Sequence, residues 1–163
     1  MIDEFWNIID MAKKNSDSVQ HRPKELKRVL LQLPPKKIID FNETYCLKLA
    51  ESYRWDLWGA AYTISGGCSD DGFDYWCDFL ISEGKEIYEN ALKNPDFLCK
   101  IDNIENTGLE EYRYAIADAY EELTGLTLPV STVNFPSEPL GKAWNEEDLP
   151  KLFPKLAKKY NNL

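Results

Sequence analysis

The chain has 163 residues, 44 % hydrophobic and 13 % aromatic, with 28 acidic against 19 basic side chains and a net charge of −9. That length and apolar content suit one domain with a sizeable core and argue against a disordered segment. No apolar run is long enough to span a bilayer, and the acidic, amphipathic start MIDEFWNIIDMAKK is unlike a signal peptide, so a soluble cytoplasmic protein is expected.

In chain order, a first helix is expected from about Asp3 to Lys14, with Phe5, Ile8, Ile9 and Ala12 inward and charges placed to suit the helix dipole. After the polar loop NSDSVQHR, Pro23 opens a second helix striped by Leu26, Val29, Leu30 and Leu33. Pro34 and Pro35 break that pattern and start a third, carrying Ile38, Phe41, Tyr45 and Leu49. It either continues through Tyr53 or stops so that Asp56 caps a new helix.

Tyr53 to Gly84 reads as helix, glycine-rich turn, helix. Trp55, Trp58 and Tyr62 form one apolar line and Leu57, Ala61 and Ile64 another, while Gly59, Ala60 and Thr63 leave a small-residue face that another helix can approach. Gly66 and Gly67 end this helix. In the next, Phe73, Trp76, Cys77 and Leu80 form the buried stripe, and Asp71, Asp74 and Asp78 share a narrow arc on the opposite side. Ser69, Asp70 and Asp71 are cap candidates, and Gly84 is a left-handed stop.

A short helix with Ile87, Tyr88, Ala91 and Leu92 follows, then loop-like residues 94–109. EEYRYAIADAYEELTG is a helix with Tyr112, Ile116, Ala119, Tyr120 and Leu123 inward and Gly125 as its stop. From Leu126 the proline-rich LTLPVSTVNFPSEPLGKAW reads as an extended arm, and Pro150 and Pro154 divide the end of the chain into short helical turns.

Charge is unevenly distributed: the balance is +2 over residues 1–54, −12 over 55–125 and +1 over 126–163. Such a middle repels phosphate backbones, so no direct nucleic-acid binding is expected. Cys46, Cys68, Cys77 and Cys99 show no CxxC pairing, and His21 is the only histidine, so reduced thiols without zinc are expected. The run Ser69–Asp74 lacks the spacing of a calcium loop and is explained by capping. Cys68, ahead of a helix start, is a candidate for a lowered thiol pKa, but no nucleophile elbow, zinc-protease or dinucleotide motif accompanies it.

Arg54 is the most informative single charge. On a continuous helix it shares a side with Trp58, Ala61 and Ser65, so its stem is expected to be buried and its guanidinium paired with Asp70, Asp71 or Asp74. That pair is an internal brace, or else Arg54 is held for an anionic ligand.

The segments RWDLWGAAY, GGCSDDGFDYW and FLISEGKEIYENAL, with the opening DEFW, AYEELTG and the final LPKLFPKL, resemble an uncharacterised bacterial family, domain of unknown function 4240, over most of the chain. Some members of that family bear the label of molybdate-metabolism regulators, and some are joined to a tryptophan-glycine-arginine-rich (WGR) domain, which is not expected within these 163 residues. The resemblance implies no activity.

The expected fold is mainly α: one domain over residues 1–163, a bundle of about six or seven helices spanning about 3–125, closed by the proline-rich arm and short helices of 126–163. The expected function is non-catalytic: a binding or regulatory module presenting Asp71, Asp74, Asp78 and Tyr75 to a basic protein, with no catalytic residue, cofactor, metal or membrane partner. The alternative is a small hydrolase-like enzyme using Asp70, Asp71 or Asp74 in a cleft with Arg54.

Overall fold

The computed structural model describes residues 2–102, 104 and 107–160. Helices α1 (Ile2–Lys14), α2 (Arg22–Leu30), α3 (Pro35–Ser52), α4 (Trp55–Ser65), α5 (Asp70–Ser82), α6 (Lys85–Lys93) and α7 (Glu110–Thr124) make up the expected bundle. Two short helices, α8 (Leu149–Leu152) and α9 (Pro154–Tyr160), follow, split where the prolines fall. Among the described residues there is no strand, only an isolated parallel bridge between Arg54 and Leu140.

That bridge settles the question left open at residues 53–56. Trp55 N–H donates to the Leu140 carbonyl and Leu140 N–H to the Tyr53 carbonyl, each at 2.9 Å. Tyr53 and Arg54 thereby leave the helical conformation, at φ −77°, ψ 81° and φ −135°, ψ 143°, and α3 stops before α4 begins. Asp56 sits inside the first turn of α4 and is not its cap; Arg54 holds the cap position.

The core is organised around α5, which packs against α1, α3, α4, α6 and α7. The expected stripe of Phe73, Trp76, Cys77 and Leu80 is buried, and so are Asp78, Phe79, Ile81 and Ser82. The C-terminal half of this helix is therefore enclosed on every side, and each fully buried Phe or Leu there contributes about 1.5–3 kcal/mol of apolar transfer. Ser69 caps the start, its Oγ accepting the Gly72 N–H at 3.0 Å. At the other end Gly84 departs from expectation: φ is 103° but ψ is 171°, so it is not a left-handed stop. Glu83 is the C-cap, and Gly84 is the joint that starts α6.

The small-residue face of α4 is filled by the end of the chain. A Cβ on Gly59 would stand 2.8 Å from Phe153 Cε2, 2.9 Å from Trp144 Nε1 and 3.0 Å from Leu149 Cδ2. Leu149, Phe153 and Leu156 are all buried there. Asp96, itself buried, secures the arrangement by accepting the Lys155 and Leu156 N–H groups at 3.1 and 2.9 Å, which caps α9 from a distant part of the chain. Between α7 and α8, residues 127–136 take no regular structure; Thr132 donates from its N–H and Oγ1 to the Glu43 carboxylate at 3.0 and 2.8 Å. Leu123, expected inward on α7, is exposed at its C-terminal end.

Candidate functional site

Three helices converge on the side of α5 where an aspartate stripe was expected. Asp78 is not on the surface: its side chain has no solvent exposure. Tyr45 on α3 donates its hydroxyl to Asp78 Oδ1 at 2.5 Å, and Arg113 on α7 donates Nε to Asp78 Oδ2 at 2.8 Å, with Nη2 equally near. The same guanidinium reaches one turn back to Asp74, with Nη1 at 3.0 Å from Oδ2 and Nη2 at 3.1 Å from Oδ1, and also donates to the Asp74 carbonyl. One arginine thus ties α7 to two successive turns of α5.

Burial pushes the Asp78 carboxyl up to about 7, against the opposing pull of Arg113 and Tyr45. Burial also drives the Tyr45 hydroxyl well above its ordinary value, and the Asp78 charge adds to the effect. Desolvation alone would lower Arg113, but the two carboxylates outweigh it and leave the guanidinium above the ordinary arginine value. With so many directed bonds and so little water, this cluster braces the bundle. The partner expected for Asp74 was Arg54; the one it has is Arg113.

Outside this brace lies a surface where α5 and α7 begin side by side. Asp70 and Asp71 are exposed, Asp74 and Tyr75 are half-buried, and Tyr114 is 50 % exposed. The Tyr114 hydroxyl donates to Glu110 Oε1 at 2.6 Å. Hydrogen bonding to Glu110 is also the main cause raising the pKa of the Tyr75 hydroxyl, so two phenols converge on one carboxylate. The Arg113 guanidinium lies 5.8 Å from the Tyr75 ring centroid, and Tyr53 donates its hydroxyl to Asp70 Oδ1 at 3.2 Å. Of the expected binding residues, Asp71, Asp74 and Tyr75 are therefore near one another at or close to the surface, and Asp78 is sealed beneath them.

Arg54 belongs to a different place. The break between α3 and α4 takes it off the helical face on which burial was expected, and its side chain is 38 % exposed. Its Nε and Nη2 bond the Asp56 carboxylate at 3.1 and 3.3 Å, not Asp70, Asp71 or Asp74. An exposed pair of this kind contributes little to stability. Arg54 and Asp56 line a cleft of about 540 Å³ together with residues from 140–153, and none of the three aspartates proposed for a hydrolytic site lines it.

The thiols are all free. Cys77 is buried on the α5 stripe as expected. Cys68 corrects the sequence reading, because burial raises its pKa to about 11 instead of a helix start lowering it. His21 stands among Asp17 and Glu25, at 3.1 and 3.5 Å, within its own stretch of chain. Among the described residues, no three of His, Cys, Asp and Glu are grouped so as to hold a metal ion, and no helix is long and apolar enough to cross a membrane.

Arg113, Tyr45, Glu110 and Tyr114 were missed in the sequence. The available signal was Asp78 itself, an aspartate inside the run WCDFLI, since a carboxylate in such a helix must find a cation or a donor elsewhere. Compared with known proteins, residues 1–122 match the family described as "Protein of unknown function (DUF4240)". No curated protein and no solved structure matches the chain.

Proposed function

We propose that this chain, which belongs to the DUF4240 family, is a non-catalytic binding module of the bacterial cytoplasm. Its acidic, tyrosine-edged face at the paired starts of α5 and α7 takes a basic segment of a partner protein. The observation that carries the reading is the convergence of Tyr75 and Tyr114 on Glu110, beside the exposed Asp70 and Asp71. Phenols and carboxylates in alternation suit lysine and arginine side chains, which bond the oxygens and lie against the rings. The concentration of −12 over residues 55–125 supports the choice of a cationic partner over nucleic acid.

Asp78 and Asp74 serve this face from behind: they hold Arg113, and Arg113 holds α5 against α7. The test is therefore made on residues free of the brace. A partner is captured from lysate, identified, and its association followed by surface plasmon resonance over a range of salt. The partner is expected to be basic, and Asp71→Asn with Glu110→Gln is expected to slow association roughly three- to tenfold at low salt while leaving Tm unchanged. A neutral or acidic partner, or an unaltered association rate in the double variant, overturns the reading.

A further inference from the structure

We propose that the cleft between the α3–α4 break and residues 140–153 binds a small molecule that combines an apolar body with a single anionic head, such as an aryl carboxylate. The cleft encloses about 540 Å³, within the range of about 300–1,000 Å³ usual for small-molecule sites. Its walls are mostly apolar, with Leu140, Ala143, Trp144, Leu152 and Phe153 among them. Leu140 is 47 % and Leu152 52 % exposed, so these side chains sit at the cleft without being covered by the rest of the chain. Trp144 is held in position, its Nε1–H donating to the Trp55 carbonyl at 2.5 Å.

The charge of the cleft runs against that of the molecule. Arg54, Lys142 and Lys151 face Asp56 and Asp148, three cations against two carboxylates in a chain of net −9. Arg54 commits Nε and Nη2 to Asp56, and among the described residues Nη1 has no partner. No ion pair engages Lys142 or Lys151 among the described residues. A cationic excess beside apolar walls selects an anion over a neutral or cationic molecule of the same shape, because an arginine nitrogen forms its strongest hydrogen bonds with charged oxygen. The extended conformation of Arg54, imposed by the bridge to Leu140, is what brings the side chain to the cleft in place of the helix face. Residues 140–153, which form one wall of the cleft, lie outside residues 1–122, the stretch matched by the family.

Three probes with the same indole body and side chains of similar length separate the contributions: indole-3-acetate, the neutral indole-3-ethanol and the cationic tryptamine. Each is titrated into the full chain and followed by the ¹⁵N-resolved side-chain signals of Trp144 and Arg54. Indole-3-acetate is expected to shift both signals and to bind about tenfold more tightly than the alcohol, with tryptamine the weakest. Arg54→Gln is expected to remove that preference while the apolar contribution persists. Leu152→Glu, at an exposed position that leaves folding intact, is expected to abolish acetate binding by adding a carboxylate to the wall. Equal affinity for the three probes, no saturable shift, or wild-type binding by Leu152→Glu overturns the proposal. Association at the Glu110 face is measured separately and is unaffected by either result.

Discussion

Replacing Arg113 with methionine tests the brace most sharply. Methionine keeps much of the side-chain volume but removes the bonds to Asp78 and Asp74. Asp74 is 38 % exposed, so water replaces much of what it loses. Asp78 has no exposure and is left with Tyr45 alone, and a buried carboxylate stripped of its cation costs about 3–5 kcal/mol. The size of the loss depends on whether Asp78 is charged. Its folded-state pKa of about 7 lies above the unfolded value of about 3.8, so its contribution to stability is complete below the lower value and is lost as pH rises through the upper one. Without the guanidinium, which pulls that pKa down, the folded value in the variant is higher still. At pH 8 the wild type carries a charged, paired Asp78, and the variant must either bury the bare charge or take up a proton. At pH 5 both hold the proton on Asp78 in the folded state, and what the variant loses is the guanidinium's bonds to a neutral carboxyl and to the part-exposed Asp74. Urea unfolding followed by tryptophan fluorescence is expected to show about 3–5 kcal/mol lost at pH 8 and about 1–2 kcal/mol at pH 5. Adding Asp78→Asn to the variant is expected to recover part of the loss at pH 8. Equal losses at the two pH values, or less than about 1 kcal/mol at pH 8, would refute the reasoning.

Thiol chemistry and close packing supply further checks. At pH 8 the unfolded chain is expected to titrate four thiols, while in the folded chain Cys77 stays protected and Cys68 reacts slowly, its pKa being pushed up to about 11 by burial; rapid reaction at Cys68 contradicts this. Gly59→Ala places a methyl group against Phe153, Trp144 and Leu149 and is expected to cost about 1–3 kcal/mol and to alter near-ultraviolet circular dichroism. An unchanged spectrum with unchanged stability means that α8 and α9 do not seat on α4 as described.

The helices were legible because their signals are local. The stripe of α5, the Ser69 cap, the proline breaks and the Gly66 stop all depend on residues within a few positions of one another. The small-residue face of α4 was legible as a place for close approach, though not what approaches it. The site was harder to read because its bonds span the chain. Asp78 meets Tyr45 and Arg113 from 33 and 35 residues away, and helical periodicity alone groups it with Asp71 as if both faced water. Periodicity assigns the two sides of a helix correctly only when one side is solvated. With α3 and α7 covering the second side of α5, the residue at that position is buried whatever its polarity. Arg54 failed for a related reason: the bridge that breaks the helix at residue 54 is made by Leu140, too far along the sequence for a local pattern to register.

The seating of α8 and α9 on α4 also sets a schedule for synthesis. The Trp55 carbonyl waits 89 residues for the indole of Trp144, and at about 5–20 residues per second that is an interval of about 4–18 s. Throughout it, helix α4 is already made and its Gly59 groove has nothing to cover it. A nascent chain of this protein thus presents an apolar furrow near its middle until its last helices emerge, and a ribosome-associated chaperone has a defined target during that interval. Truncation at the end of the family match makes that transient state permanent, so a fragment ending at residue 122 is expected to aggregate even though it contains nearly all of the seven bundle helices.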